Sequence, residues 1–165
     1  MKKVLLIAAL AVSSVSFAQD KGSSKPLSFS VGAELGMPIG DAATGSSFVG
    51  GLSAQLDYSV ASQVALTLNT GYGKFFGKDG GDGWGVVPVL AGVKYHFNDQ
   101  FYGSAQLGMS FISYGGGADS QSGFTFAPGI GYKASEKIDV MLKYTSISLE
   151  DGSVDAVGVR LAYNF

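Results

Sequence analysis

A two-residue alternation of apolar and polar side chains runs along most of the chain and constrains its fold more than any other feature. It is clearest at residues 154–165, where the odd positions from Val157 onward are apolar and the even positions are small or polar. The stretch ends on Phe165, with Tyr163 and Leu161 on the same face. Successive side chains of a β-strand point to opposite faces, so the pattern predicts strands with one apolar face. The sequence therefore predicts an all-β fold.

The same alternation predicts eight strands. At about 10–12 residues each, they match the 9–11 residues that a tilted strand needs to cross a bilayer. Strands of soluble proteins are usually about 5–6 residues long. The connections alternate between short turns and longer Gly-rich loops, with the last loop expected at 150–153. The predicted strands are about 27–37, 48–58, 64–75, 85–97, 101–113 and 123–133, a seventh that runs from 138 toward the loop at 150, and 154–165.

The composition of the polar face distinguishes a membrane barrel from a soluble one. A water-facing surface is normally rich in charged residues, but most of these positions hold Gly, Ser, Thr, Ala, Asn or Gln. Small residues suit the crowded interior of an eight-stranded barrel. The apolar face also carries two aromatic girdles, which are typical of a membrane-spanning barrel. One girdle is Tyr58, Tyr95, Phe97, Phe101, Tyr132, Tyr163 and Phe165, and the other is Phe48, Tyr72, Phe75, Trp84, Phe111 and Phe124.

Residues 1–18 have the pattern of a secretory signal peptide. A basic start precedes an unbroken apolar run at 4–12, and the small residue Ala18 ends the segment. Nine apolar residues are too few for a membrane-spanning helix, which needs about 20. We therefore expect cleavage before Gln19, which leaves residues 19–165 as one mature domain.

Composition argues against several classes of function. Without residues 1–18 the chain keeps 9 of its 11 basic residues against 13 acidic ones, so a basic face for nucleic acid is not expected. The chain has no cysteine for disulfides, thiol catalysis or metal binding. Asp79 and Asp82 do not have the spacing of a calcium loop. The single histidine, His96, has no nucleophile suggested by spacing. We expect no catalytic residue, metal site or cofactor.

The eight strands and the C-terminal phenylalanine resemble the small outer-membrane β-barrels, a family that includes the OmpA transmembrane domain and OmpX. The resemblance covers the whole mature chain and implies an eight-stranded, antiparallel, up-and-down transmembrane β-barrel in the outer membrane of a Gram-negative envelope. It implies that the barrel-assembly machinery reads a signal formed by Leu161, Tyr163 and Phe165. Outer-membrane lipid and lipopolysaccharide are the other implied partners, and a monomer is expected. In this family short turns are periplasmic and longer loops extracellular.

The charged residues on the inward face are the candidate site. Charges inside a membrane protein are tolerated when they pair. Strand eight closes on strand one, so we expect the stagger of the barrel to bring Arg160 level with Glu34, with Lys143 approaching Arg160 from the next strand. The inward set is Glu34, Asp57, Lys94, Lys133, Lys143 and Arg160.

Two functions are favoured for such a lumen, and a lipid-modifying enzyme is a third alternative that rests only on the existence of such barrels. In the first, the polar and charged side chains plug it, and the protein is a non-enzymatic component of envelope structure or surface interaction. In the second, the lumen is a small porin-like channel for ions or small solutes.

Three details depart from the regular pattern. Pro88 and Pro128 lie inside predicted strands, where they lack a donor for the ladder and predict β-bulges. The alternation also reverses at Ile147 and Leu149, which predicts either a bulge or a strand end above the bilayer.

Overall fold

In the computed structural model, the described part of the chain is mostly β-strand. The predicted signal peptide and the loop carboxylates Asp79 and Asp82 lie outside the described residues. Among the residues described, no helix is long and apolar enough to cross a membrane. A single helical turn, α1, spans Ala42–Gly45. The described residues are 27–78, 83–114, 120–150 and 152–165.

Eight antiparallel strands form one closed barrel, as the sequence predicts. Each strand pairs with its neighbours in chain order, and the last strand closes on the first. The hydrophobic alternation therefore located all eight strands, with differences of a few residues at their ends. The strands are β1 Leu27–Ile39, β2 Ser46–Ser59, β3 Val64–Gly77, β4 Trp84–His96, β5 Phe101–Ser113, β6 Ser120–Lys133, β7 Ile138–Leu149 and β8 Gly152–Asn164.

The two ends of the barrel differ in their connections. We call one the turn end, because the short turns 60–63, 97–100 and 134–137 join strands there. The opposite, loop end carries the connections 40–45, 78–83, 114–119 and 150–151. The prediction of a longer fourth loop is wrong, because β7 and β8 remain paired up to Leu149 and Gly152.

Burial separates the two faces of each strand as the alternation requires. On β1, Leu35 and Met37 are 67% and 68% exposed, whereas Ser30 is 4% exposed. Apolar side chains thus cover the outside of the barrel, and polar or small side chains occupy much of its interior. This arrangement is the reverse of a water-soluble barrel and is the one that a lipid bilayer requires.

Pro88 and Pro128 interrupt the hydrogen-bond ladder without forming the predicted bulges. The β3–β4 register is the same on both sides of Pro88, and the β6–β7 register is the same on both sides of Pro128. Each proline keeps its pairing with one neighbouring strand and loses it with the other, so no extra residue is inserted. Within the described part of the chain, the one register shift lies between Ser46 and Phe48, beside a loop.

The loop end of β7 is regular as well. β7 and β8 pair in one unbroken register from Ile138 to Leu149, so the prediction of a bulge here is wrong. Ile147 and Leu149 keep the inward orientation of their positions, and Ile147 is 3% exposed. The reversal in the sequence arises because the lumen itself changes from polar to apolar toward the loop end.

The prediction that Phe75 and Trp84 belong to the outer girdle is also wrong. Phe75 is 4% exposed, and its ring stacks on that of Trp84 with the centroids 3.8 Å apart. Both residues occupy inward positions of their strands: Phe75 is two residues from the inward Gly73 on β3, and Trp84 is two residues from the inward Val86 on β4. The other members of this girdle lie on the outer surface with exposed side chains: Phe48, Tyr72, Phe111 and Phe124.

Substituting arginine for an apolar residue in the middle of the outer face tests the placement of the barrel in a bilayer. Leu107, at the centre of β5, and Val60, in a turn, are 51% and 50% exposed. Arginine facing lipid costs about 2–4 kcal/mol at the bilayer midplane and about 0–1 kcal/mol near the interfaces. We expect Leu107→Arg to lower the free energy of unfolding by the larger amount and Val60→Arg by the smaller. Urea titrations in lipid vesicles measure both, and equal losses would contradict the placement.

Candidate functional site

The first group of lumen charges surrounds Glu34. Glu34 on β1 lies directly opposite Arg160 in the β1–β8 register. Glu34 Oε2 is 2.6 Å from Lys143 Nζ, whereas Glu34 Oε1 is 3.9 Å from Arg160 Nε. One carboxylate therefore lies between two cations, and Lys143 is its closer partner.

Arg160 is held mainly by serine hydroxyl groups. Its side chain is among the most buried in the barrel, at 2% exposed. Arg160 Nε donates to Ser53 Oγ at 2.8 Å, and Nη2 donates to Ser30 Oγ at 3.0 Å. A Cβ at Gly32 would lie only 2.9 Å from Arg160 Nε, so the glycine makes room for the arginine side chain. The guanidinium of β8 is thus fixed against β1 and β2.

A second group of charges forms around Lys94 at the turn end. Asp57 Oδ2 is 2.6 Å from Lys94 Nζ, and Gln55 Nε2 donates to Asp57 Oδ1 at 2.7 Å. Lys94 Nζ also lies 4.4 Å from the centroid of the Tyr102 ring, a cation–π contact. Tyr102 in turn donates its hydroxyl to Asp139 at 2.6 Å. These contacts join β2, β4, β5 and β7 across the lumen.

Asp139 and Tyr102 are the lumen residues that sequence reasoning left out of the charge cluster. They are 2% and 1% exposed. The alternation gave both an inward position, so the signal was present in the sequence. A further signal is Gly131 on β6, where an added Cβ would overlap the Tyr102 ring. Lys133, in contrast, lies at the turn end of β6 and forms no ion pair with the described residues.

Neutral side chains extend the second group toward the middle of the lumen. Gln106 Nε2 donates to Gln55 Oε1 at 3.1 Å and to Thr67 Oγ1 at 3.2 Å. Asn69 Nδ2 donates to the same glutamine oxygen at 3.3 Å. Among the described residues, Asn69 Oδ1 and Gln106 Oε1 have no hydrogen-bond partner. The network is therefore extensive but not fully satisfied.

The loop end of the lumen is apolar. Phe75, Val86, Ile112 and Ile147, from four different strands, form a buried cluster. Val49, Trp84, Leu149 and Val154 pack against it. Between this apolar cluster and the Glu34–Lys143 pair lies a cavity of about 90 Å³. The lumen thus has a polar part, a small cavity and an apolar part.

His96 does not form a catalytic pair in this geometry. Its ring lies 5.7 Å from that of Tyr102, with a tilted orientation. The Tyr102 hydroxyl donates to Asp139, so the two rings are not a base and a nucleophile in hydrogen-bond contact. His96 Nε2 is buried and has no hydrogen-bond partner among the described residues.

The C-terminal residues lie on the outer face of the β1–β8 seam. Leu161, Tyr163 and Phe165 are 53%, 41% and 65% exposed. The Phe165 backbone N–H donates to the Phe29 carbonyl at 2.9 Å, and the two rings lie 5.7 Å apart. The last residue is therefore attached to the first strand, while its side chain remains on the surface.

Removing the Glu34 carboxylate is expected to destabilise the barrel more than removing Arg160. Glu34→Gln leaves the buried Arg160 and the half-buried Lys143 without their shared anion, and the loss is expected to approach the ~3–5 kcal/mol typical of breaking a fully buried pair. Arg160→Gln leaves the 2.6 Å contact between Glu34 and Lys143 in place. Urea titrations of the two variants in detergent or lipid compare the losses. Equal losses near zero would indicate a wet lumen.

Gly131 is expected to be required for the Tyr102 ring. Gly131→Ala puts a methyl group into the space of that ring, and overpacking of this kind typically costs about 1–3 kcal/mol. Gly45→Ala is the matched control, because nothing lies within 4 Å of its added Cβ. A double-mutant cycle with Tyr102→Leu, followed by urea unfolding, measures the coupling of the two sites. Additive losses would contradict the contact.

Comparison with known proteins agrees with this architecture. Residues 5–165 match the family model of the outer membrane protein beta-barrel domain. No curated protein sequence matches the chain significantly. Among solved structures, Ail, the attachment invasion locus protein of Yersinia pestis, superposes with a TM-score of 0.60 at 15% identity. That match covers 84% of this chain and 97% of Ail.

Two further barrels are similar to the same extent. The N-terminal β-barrel domain of Pseudomonas aeruginosa OprF has a TM-score of 0.59 at 16% identity and covers 84% of this chain and 97% of its own. Neisserial surface protein A has a TM-score of 0.59 at 15% identity, and the match covers 87% of this chain and 98% of that protein. At these identities the likeness concerns the fold. Because the family match extends over almost all of the sequence, the chain belongs to the outer membrane protein β-barrel domain family.

Proposed function

We propose that this outer-membrane barrel is a non-enzymatic component of envelope structure or surface interaction whose lumen is plugged by its own side chains. The observation that carries the proposal is the burial of large side chains along the axis. Arg160, Tyr102, Gln106 and Ile112 are each no more than 2% exposed. Eight strands enclose an interior just wide enough for side chains to fill.

Contacts between opposite walls support the plug. The chain of contacts from Asp57 through Lys94 and Tyr102 to Asp139 runs from β2 to β7. These strands are separated by several others in the closed sheet. A hydrated ion passing this level would have to displace paired charges and a tyrosine ring. At the loop end it would meet apolar side chains, which disfavour water.

The pairing of the lumen charges favours a structural role over selection of ions. Selective pores present rings of like charge or arrays of carbonyl groups to the passing ion. Here the anions Glu34 and Asp57 each lie 2.6 Å from a lysine. Their charges are directed at each other and not at a path along the axis.

A small porin-like channel is the competing function. The observations in its favour are the unpartnered oxygens of Asn69 and Gln106 and the absence of an ion pair for Lys133 among the described residues. Groups of this kind are the ones that water or a permeating ion would contact. The channel and the plug differ in a property that can be measured directly.

Conductance in planar bilayers distinguishes the two functions. We expect purified, refolded wild-type barrel to give no reproducible openings. The variant Tyr102→Ala/Ile112→Ala removes bulk from both the polar and the apolar parts of the lumen and is expected to give openings. Leu107→Ala, which removes bulk from the outer face, is the control and should behave as wild type. Stable, reproducible openings of the wild type would overturn the plug and establish the channel.

A further inference from the structure

The β3–β4 seam is interrupted beside the lumen cavity. Within these two strands, all of whose residues are described, pairing stops after Thr70–Val89 and resumes at Gly73–Val86. Pro88 lies in the gap and has no N–H to donate. The Pro88 carbonyl accepts a hydrogen bond from the Thr70 hydroxyl at 2.9 Å. A side-chain contact thus takes the place of ladder bonds at this point.

The cavity of about 90 Å³ lies directly behind the gap. The unpaired residues are Gly71 and Tyr72 on β3 and Val87 and Pro88 on β4, and all but Val87 line the cavity. Gly71 and Gly73 hold inward positions without a side chain. Backbone alone therefore forms much of the wall between the cavity and the seam.

The chemistry of the cavity suits a hydrocarbon guest. Its charged lining residues, Glu34 and Lys143, are 2.6 Å apart and satisfy each other, so neither is free for a polar ligand. Small apolar cavities in proteins stay dry and accept guests such as benzene or xenon. The lining also contains Ser53, Ser110 and Thr145, and the first two accept hydrogen bonds from Arg160 and Thr125. The buried apolar side chains among the lining residues are Phe75, Val86, Leu90, Ile147 and Ala156.

The outer surface beside the gap faces lipid. Tyr72, Val87 and Val89 are 54%, 38% and 45% exposed there. Along the axis, the apolar cluster containing Phe75 and Ile147 lies on one side of the cavity and the buried Arg160 lies toward the other. The interrupted β3–β4 seam is therefore a boundary between the cavity and lipid that lacks ladder hydrogen bonds.

We propose that the cavity is a binding site for a short hydrocarbon group, which enters from the bilayer between β3 and β4 at Pro88. The group is the end of a lipid acyl chain or a small free apolar solute, since both present the same CH₂ and CH₃ surface. Binding removes that surface from water or from loosely ordered lipid and fills space that the side chains leave open.

Trp84 supplies a reporter for this site. It is the only tryptophan of the chain, and its ring stacks on Phe75, which lines the cavity. Bromine quenches tryptophan fluorescence over a short range, and Phe75 alone lies between the Trp84 ring and the cavity. The free solute is represented by 1,2-dibromoethane added to barrel in ordinary vesicles, and the lipid by vesicles of phosphatidylcholine brominated along its acyl chains.

Two variants that fill the cavity test the site. Ala156→Leu adds bulk from β8, away from the seam, and Gly73→Ala adds a single methyl group, whose carbon would lie 3.1 Å from Val86 Cγ1. We expect Ala156→Leu to lose most of the wild-type quenching and Gly73→Ala to lose part of it. Ala91→Leu is the control: it makes the same Ala-to-Leu change on the lipid face of β4 and should leave quenching unchanged.

The two probes distinguish the source of the hydrocarbon. Loss of quenching with dibromoethane alone identifies a free solute, and loss with the brominated lipid alone identifies an acyl chain. Gel migration before and after heating verifies that each variant is folded. Unchanged quenching by both probes in folded Ala156→Leu, or in folded Gly73→Ala if the first does not fold, would overturn the site.

Pro88→Ala tests the route. The substitution supplies the missing N–H and allows the β3–β4 ladder to close, without adding bulk to the cavity. We expect the onset of quenching by dibromoethane in stopped-flow mixing to be slower in Pro88→Ala than in wild type. Pro128→Ala makes the same change at the β6–β7 seam, where Thr145 of β7 lines the cavity but no residue of β6 does, and should leave the rate unchanged. Equal rates in Pro88→Ala and wild type would overturn entry through the β3–β4 seam.

Discussion

The structure depends on one constraint, which is that backbone N–H and C=O groups inside a bilayer have no water to bind. A strand can satisfy them only through its two neighbours, and a sheet only by closing on itself. Pairing of β8 with β1 meets this requirement, and Phe165 continues it to the last residue through its bond to Phe29. Pro88 and Pro128 are local exceptions, and each leaves a gap on one side of its strand.

Closure with eight strands then determines what the lumen can contain. The interior has room only for side chains, so several large inward residues lie beside glycines. Tyr102 occupies the space that a side chain at Gly131 would need, and Arg160 occupies the space next to Gly32. Polar side chains in this confined space bond to one another across the barrel. The same crowding accounts for many of the glycines within the strands.

The amino-acid sequence by itself determined the architecture. Side-chain alternation is a local property of a strand. The length of each strand, and which of its faces is apolar, can therefore be predicted without tertiary information. The same parity placed Glu34, Asp57, Lys94, Lys143 and Arg160 inward. Where a residue was assigned to the wrong face, as with Phe75 and Trp84, the error came from grouping aromatic residues by their position near a strand end and not by parity.

Only the tertiary structure decided which inward residues meet. Strand register and stagger set the level of each side chain, and neither is encoded in a period of two. For this reason the lysine nearest to Glu34, the serines that bind Arg160 and the link between Tyr102 and Asp139 required the closed barrel. The regular register past Pro88 also required it, because a proline in a strand is compatible either with a bulge or with a simple loss of pairing. The cavity beside Pro88 lies where the polar and apolar parts of the lumen meet, and its position also required the closed barrel.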